Sequence, residues 1–286
     1  MPNTYNSLHK LRYFAVALML FGIMYTADNY FESQLPDTAL HLDDAELRIL
    51  IDDLAGKPQV LPDATTSKKI PNFKKYEDIT DKKRAFFAYL LPEINRQNDI
   101  TLIKRKAVIS MAQQLEQQAT LSPFSVKLLK RLRRDYKVDK ALSDQESMAV
   151  LLKRVDMIPA ELVLIQAANE SGWGTSRFAR QGYNFFGLWC FKRGCGFVPK
   201  RRDEGTVHEV AKFKDLSHAV KTYIKNLNRH YAYQELRDIR ANLREQDKQI
   251  TAKALVHGLH SYSERGQDYI DELLSMMRVN KEHMDL

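Results

Sequence analysis

Apolar residues recur at three- and four-residue steps from Asp81 onward, in "KKRAFFAYLLPEINRQN", "TLIKRKAVISMAQQLEQQA" and "PFSVKLLKRLRRDY". That period belongs to amphipathic helices, so a helix is predicted in each. Ser143-Asp-Gln-Glu146 forms a capping box ahead of "SMAVLLKRVD" and marks a further helix start. Pro159 suits a first helical turn, and the apolar run behind it predicts a helix from about 159 to 170. A short helix is predicted in "SRFARQG", ending near Gly182. The pattern then changes. "CGFVPKRRDEGTVHEVAKF" carries β-branched residues, an Asp-Glu-Gly turn and rough alternation, which predict a small hairpin. Helical spacing returns in "LSHAVKTYIKNLNRHY", "YQELRDIRANLREQ", "TAKALVHGLH" and "GQDYIDELLSMMRVN". The fold class is therefore mainly α with a small β-hairpin lobe, and no internal repeat is present.

The N-terminus has a different layout. In "HKLRYFAVALMLFGIMYTADNY", Lys10 and Arg12 precede a continuous apolar run from Tyr13 to Tyr25, the arrangement of an export signal. The run is shorter than the roughly 20 residues of a spanning helix, yet no A-x-A-like cleavage site follows it. Residues 1–27 therefore read as a signal peptide or an uncleaved signal anchor, giving an exported, periplasmic protein with an inner-membrane tether as one option. From 28 to 77, Pro36, Pro58, Pro62 and Pro71 interrupt a stretch without steady period, which reads as a linker. Residues 78–286 form the folded domain.

Composition narrows the function classes. An apolar fraction of 44% with 28% charged residues excludes disorder throughout. The net charge of +8 favours polyanionic neighbours: nucleic acid, anionic lipid or an acidic wall polymer. The basic stretches "LLKRLRRDYK" and "VPKRRD" lack a nucleic-acid-binding motif, and export would separate them from the chromosome, so nucleic acid is not an expected partner. Cys190 and Cys195 stand with four residues between them in "CFKRGCG". In an exported protein this spacing predicts a short-loop disulfide. A metal site is not expected, because no second ligand pair lies nearby and the histidines are scattered.

Candidate chemistry gathers at "LVLIQAANESGWGTSRFA". Glu170 ends an apolar helical run, where the negative end of the helix dipole and greasy surroundings both raise a carboxyl pKa. A glutamic acid kept protonated near neutrality suits proton delivery to a leaving group; a surface Glu at a frayed helix end is the plainer reading. Gly172 and Gly174 permit tight backbone turns, and Trp173 offers a flat apolar face suited to a sugar ring. Further on, "QGYNFFGLWCF" supplies Tyr183, Asn184, Phe185, Phe186 and Trp189, which suit either a core or a groove lining.

These motifs, with the later "LHSYSERGQDYIDELLSMM", resemble the signature of the glucosaminidases of glycoside hydrolase family 73 and are similar to the Bax-type proteins of Gram-negative bacteria. The resemblance covers roughly residues 78 to 280. It implies a lysozyme-like α+β domain that hydrolyses the β-1,4 bond after N-acetylglucosamine, chiefly in peptidoglycan glycan strands, without metal or organic cofactor. It makes Glu170 the general acid and places a second acid in the β-lobe, where Glu204 and Glu209 both qualify. It matches family tyrosines with Tyr262 and Tyr269, though "SERG" departs from the usual residues between them. Trp173, Tyr183, Asn184, Phe186, Trp189 and Tyr269 become the expected substrate-binding set. Carboxyl separations of about 5–5.5 Å or about 6.5–9.5 Å would separate retaining from inverting hydrolysis, and the substrate's N-acetyl group could assist across a wider gap. The rival readings are a lytic transglycosylase-like muramidase and a non-catalytic glycan-binding factor. Oligomeric state is not legible.

Overall fold

The computed structural model describes residues 69–199, 208–284 and 286. The signal or anchor at 1–27, most of the linker at 28–77, and Glu204 lie outside the described residues. Two units divide the chain: a helical one, Leu42–Leu188 with Lys212–Leu286, and a smaller one whose described residues fall within Trp189–Ala211. No helix of the described residues is long and apolar enough to cross a membrane.

The helical unit begins its packing before residue 78. Phe73, in the one-turn segment Phe73–Lys75, is fully buried and meets Phe86 edge-on at 5.4 Å. Helix α1, Ile79–Glu116, follows, capped by Asp78, whose side chain accepts from the Asp81 N–H at 2.8 Å. This helix is continuous over 38 residues, where sequence spacing predicts two. It carries Pro92 internally, a residue that has no N–H to return to the carbonyl one turn back. The polar break in "NRQND" is explained by tertiary contact: the Asn98 amide donates to Ile158 O at 2.8 Å and accepts from Ile158 N at 3.1 Å. A side chain that looks like a helix end is in fact a buried anchor.

Helix α2, Pro123–Asp135, starts on Ser122 with proline in its first turn, and α3, Asp144–Arg154, starts on the predicted capping box. Both arms of that box form: Ser143 N–H donates to Glu146 Oε2 at 2.8 Å, and Glu146 N–H donates to Ser143 Oγ at 3.2 Å. Ile103, Val108, Leu128, Leu132, Met148 and Leu151 from α1 to α3 share one apolar core.

Helix α4, Ala160–Ser171, is the hub, packed against α1 and against the C-terminal elements. Every residue from Leu162 to Ala168 is fully buried. Burial all round, rather than along one stripe, is what an unbroken apolar run requires. The turn entering α4 is fixed by charge. Asp156 is 1% exposed, and Arg244 grips its carboxylate through Nε at 3.0 Å and Nη2 at 2.7 Å. Arg105 adds an ion pair at 3.4 Å, while buried Arg240 donates to the carbonyls of Lys153, Asp156 and Met157. Short α5, Arg177–Gly182, comes next. After the smaller unit the chain continues through α6, Leu216–Arg229, α7, Gln234–Glu245, α8, Ala252–Leu255, and α9, Gln267–Asn280.

The smaller unit holds three short antiparallel strands: β1, Trp189–Cys190; β2, Gly196–Phe197; and β3, Glu209–Ala211. The sequence predicts a hairpin, but β3 lies between the other two, pairing Cys190 with Glu209 and Phe197 with Val210. The Cys190–Cys195 disulfide closes the loop between β1 and β2, and β-pairing to a later segment supplies the third strand. The mostly helical architecture with one small antiparallel sheet is the lysozyme-like α+β class.

Candidate active site

The site is built on the last turns of α4. Gln166 and Glu170 stand four residues apart, so their side chains lie one above the other on a single helix face. Tyr269, in the first turn of α9, donates its hydroxyl to Glu170 Oε1 at 2.9 Å. The same hydroxyl accepts from the Gln166 amide nitrogen at 3.0 Å. Gln166 Oε1 in turn accepts from the hydroxyl of Tyr223 on α6. The result is one chain of hydrogen bonds from three helices, with every donor aimed toward Glu170.

The opposite carboxylate oxygen has a different neighbour. Gly187 has φ +65°, and a Cβ there would stand 3.1 Å from Glu170 Oε2. Only a residue without a side chain lets the backbone pass this close in that conformation. The segment is held in place from two directions. Asn184 closes it by donating to Leu188 O at 2.8 Å and accepting from Leu188 N at 3.0 Å. Tyr262 donates to Phe186 O at 2.8 Å, and the Phe186 ring stacks on Tyr223 at 4.1 Å. Tyr262 also lies parallel to Tyr269 at 5.7 Å.

The electrostatics follow from this wall of aromatic groups. Burial pushes Glu170 above the ordinary carboxylate range; the Tyr269 hydrogen bond pulls it partly back, Glu272 raises it and Arg265 lowers it. Among the described residues no cation pairs with Glu170, and Arg265 is itself engaged by Glu272 at 2.6 Å. Burial likewise raises the phenols of Tyr223, Tyr262 and Tyr269, so all three remain neutral donors. A carboxyl biased toward its protonated form, lined by neutral hydroxyls, is equipped to give up a proton.

The remaining predicted residues take other places. Trp173 packs edge-on against Phe86 and Phe87 at 5.7 and 5.4 Å, with Lys83 over its ring. Gly174 is explained by the core: a Cβ there would lie 2.4 Å from the Phe73 ring. Tyr183 ends α5 with φ +53°. Asn184 spends both ends of its amide on Leu188 in the contacts given above. In the smaller unit, Trp189 is 44% exposed and meets His208 edge-on at 4.6 Å. Glu209 is buried there and accepts from Gly194 N at 2.9 Å and Gly196 N at 2.8 Å. Cys190, Cys195 and Glu209 come together closely enough for a metal, but the sulfurs are bonded to each other and the carboxylate is bound to backbone N–H groups.

Sequence reasoning missed Gln166 and Tyr223. Gln166 left a signal, being a polar side chain inside "LVLIQAANE" at helical spacing from Glu170. Tyr223 left none, since it meets Gln166 across 57 positions.

A half-buried glutamic acid on a helix end, faced by a tyrosine and a tight glycine turn inside a helical unit, defines a glycosidase-like site. Comparison with known proteins agrees with this class: residues 145–282 match the glucosaminidase family model, described as mannosyl-glycoprotein endo-beta-N-acetylglucosaminidase. The chain is also 32% identical over 271 residues to protein bax of Escherichia coli (strain K12), covering 94% of this chain and 95% of that protein. It belongs to the Bax-type glucosaminidase family, a family of glycan hydrolases. No solved structure matches it.

Proposed function

We propose that this protein is an endo-β-N-acetylglucosaminidase that cuts the β-1,4 bond after N-acetylglucosamine in peptidoglycan strands, with Glu170 as the general acid. The observation that carries this reading is the environment of one carboxyl group. Glu170 is raised by burial, held by the Tyr269 hydroxyl on one oxygen, and approached by Gly187 at the other. Its proton goes to the glycosidic oxygen as the bond to the anomeric carbon breaks, and water completes the cleavage. For the second acid, the commitment of both Glu209 oxygens to Gly194 and Gly196 favours Glu204 of the two candidates. We also infer export to an oxidising compartment, a reading that the Cys190–Cys195 disulfide supports.

The test is product analysis on purified sacculi. Wild-type protein is expected to release new reducing ends at N-acetylglucosamine, with the mass of water added at each cut. Glu170→Gln is expected to lower that release by about 10²–10⁴-fold while the fold persists. Anhydro ends without added water would replace hydrolysis by transglycosylation, and full activity in the variant would end the assignment of Glu170.

A further inference from the structure

Two of the buried groups beside Glu170 touch neither its carboxyl nor any surface a glycan could reach. Gln166 and Tyr223 are both fully buried. Their side chains are joined in series among the described residues: Tyr223 donates to Gln166 Oε1, and Gln166 Nε2 donates to Tyr269. A primary amide can turn over, exchanging its donor and acceptor ends. Here the Tyr223 hydroxyl disfavours that exchange, because a turned amide would take away the oxygen to which its buried hydrogen is donated. With the amide fixed, Tyr269 receives a hydrogen from Gln166 and must direct its own hydrogen elsewhere. The acceptor within reach is Glu170 Oε1 at 2.9 Å.

Resting on the reading of Glu170 as the acid, we propose that Tyr223 and Gln166 are positioning residues that fix the Tyr269 hydrogen on Glu170 Oε1, so that the transferable proton is carried on Oε2, beside Gly187. An oxygen that already accepts a phenol hydrogen is the poorer seat for a second proton. A Cβ built on Gly187 would stand 3.1 Å from Oε2, so bare glycine backbone lies beside that oxygen. When the proton leaves Oε2 for the glycosidic oxygen, the carboxylate left behind keeps the Tyr269 hydrogen bond, which strengthens as the charge forms. Polarised donors in series support one another in a buried setting.

The titratable and charged groups facing Glu170 among the described residues come from three places. Tyr269 and Glu272 come from α9, Arg265 and Tyr262 from the segment before it, and Tyr223 from α6. The Phe186–Gly187 segment brings no ionisable side chain.

The experiment is a carboxyl-carbon NMR titration of the full chain labelled with 13C-glutamate, with the Glu170 signal assigned by its loss in Glu170→Gln. Tyr269→Phe removes the donated hydrogen and is expected to raise the proton affinity of Glu170 by about tenfold. Tyr223→Phe keeps the ring that stacks on Phe186 but releases the amide, and is expected to raise it by about threefold. The double variant is expected to match Tyr269→Phe alone, because Tyr223 acts only through Tyr269. If Tyr223→Phe does not fold, Gln166→Met carries the same test with the same expected direction and the same lack of additivity. An unchanged midpoint in the folded single variant, or a shift that adds to that of Tyr269→Phe, overturns the proposal. The titration uses no glycan, so inactivity toward sacculi with the shifts intact would remove the proposed function and leave only the positioning of the Tyr269 hydrogen by Tyr223 and Gln166.

Discussion

Asp156, buried, and Glu170, half-buried, are carboxyl groups at opposite ends of the same helix, and their surroundings differ in kind. Asp156 sits just before α4 in a nest of guanidinium groups. Burial alone would raise it, but the Arg244 hydrogen bond and the charges of Arg240 and Arg105 outweigh that and hold it below the ordinary range. Glu170, in the last turn of α4, has phenols and a glycine instead, and burial prevails. The first carboxylate is kept charged and serves the fold: it draws Arg105, Arg240 and Arg244 onto the α3–α4 turn. The second is shifted toward its protonated form, and it is the one to which we assign the chemistry. What separates the structural acid from the one proposed as reactive is the charge of its partners, more than the depth of its burial.

The largest expected effect breaks the structural member of the pair. Asp156→Ala leaves buried Arg240 and half-buried Arg105 with their carboxylate gone, a situation that costs about 3–5 kcal/mol. Urea denaturation should show that loss at pH 7, with the midpoint moved and little change in slope. The deficit should also depend on pH. A depressed carboxyl contributes stability above its unfolded value and loses it as pH falls through its folded value, so the gap between wild type and Asp156→Ala should narrow in acid. A constant gap across that range would show that packing, not charge, is what Asp156 provides.

A smaller effect perturbs Glu170 while leaving its carboxyl group intact. Gly187→Ala places a methyl 3.1 Å from Glu170 Oε2 on a backbone with φ +65°. Strain of about 1–2 kcal/mol is expected from the backbone alone. Displacement of the carboxyl should reduce kcat/KM on glycan strands by about tenfold to a hundredfold, mostly in kcat. Wild-type turnover in this variant would mean that Oε2 is not where the proton is delivered.

The same pair shows how much was legible beforehand. The helix that carries Glu170, the capping box at Ser143 and the disulfide follow from local spacing, and the chain bears them out in place. The aromatic residues near Glu170 were legible as a group but not by role. Trp173 and Gly174 look like a ligand floor, yet Phe73, Phe86 and Phe87 account for both. Asn184 looks like a substrate hydrogen bond and instead closes its own loop. The Asp156 nest went unseen, because Arg105, Arg240 and Arg244 reach it from α1 and α7, distant in sequence. The third strand was missed for the same reason. Pairing partners 13 to 21 residues apart leave no periodic trace in a strand of two or three residues.

The smallest effect is the most discriminating, because it predicts opposite signs at the two carboxyls for the same isosteric change. A carboxyl raised by the fold stabilises the native state only below its unfolded value, and that contribution is lost as pH rises through the folded value. Near neutrality Glu170 is therefore a burden on stability, whereas Asp156 is a support. Glu170→Gln removes the charge, keeps an acceptor for Tyr269 and should stabilise the protein at pH 8 by on the order of 1 kcal/mol. For a unit of this size that is a Tm rise of about 2–4 °C by calorimetry. The gain should fade as the solution is acidified and wild-type Glu170 takes up its proton. Asp156→Asn, measured alongside, should lower Tm at pH 8 and also converge on wild type in acid. Stabilisation of both variants at pH 8, or of neither, would mean that the arginines and the tyrosines do not sort these two acids as argued.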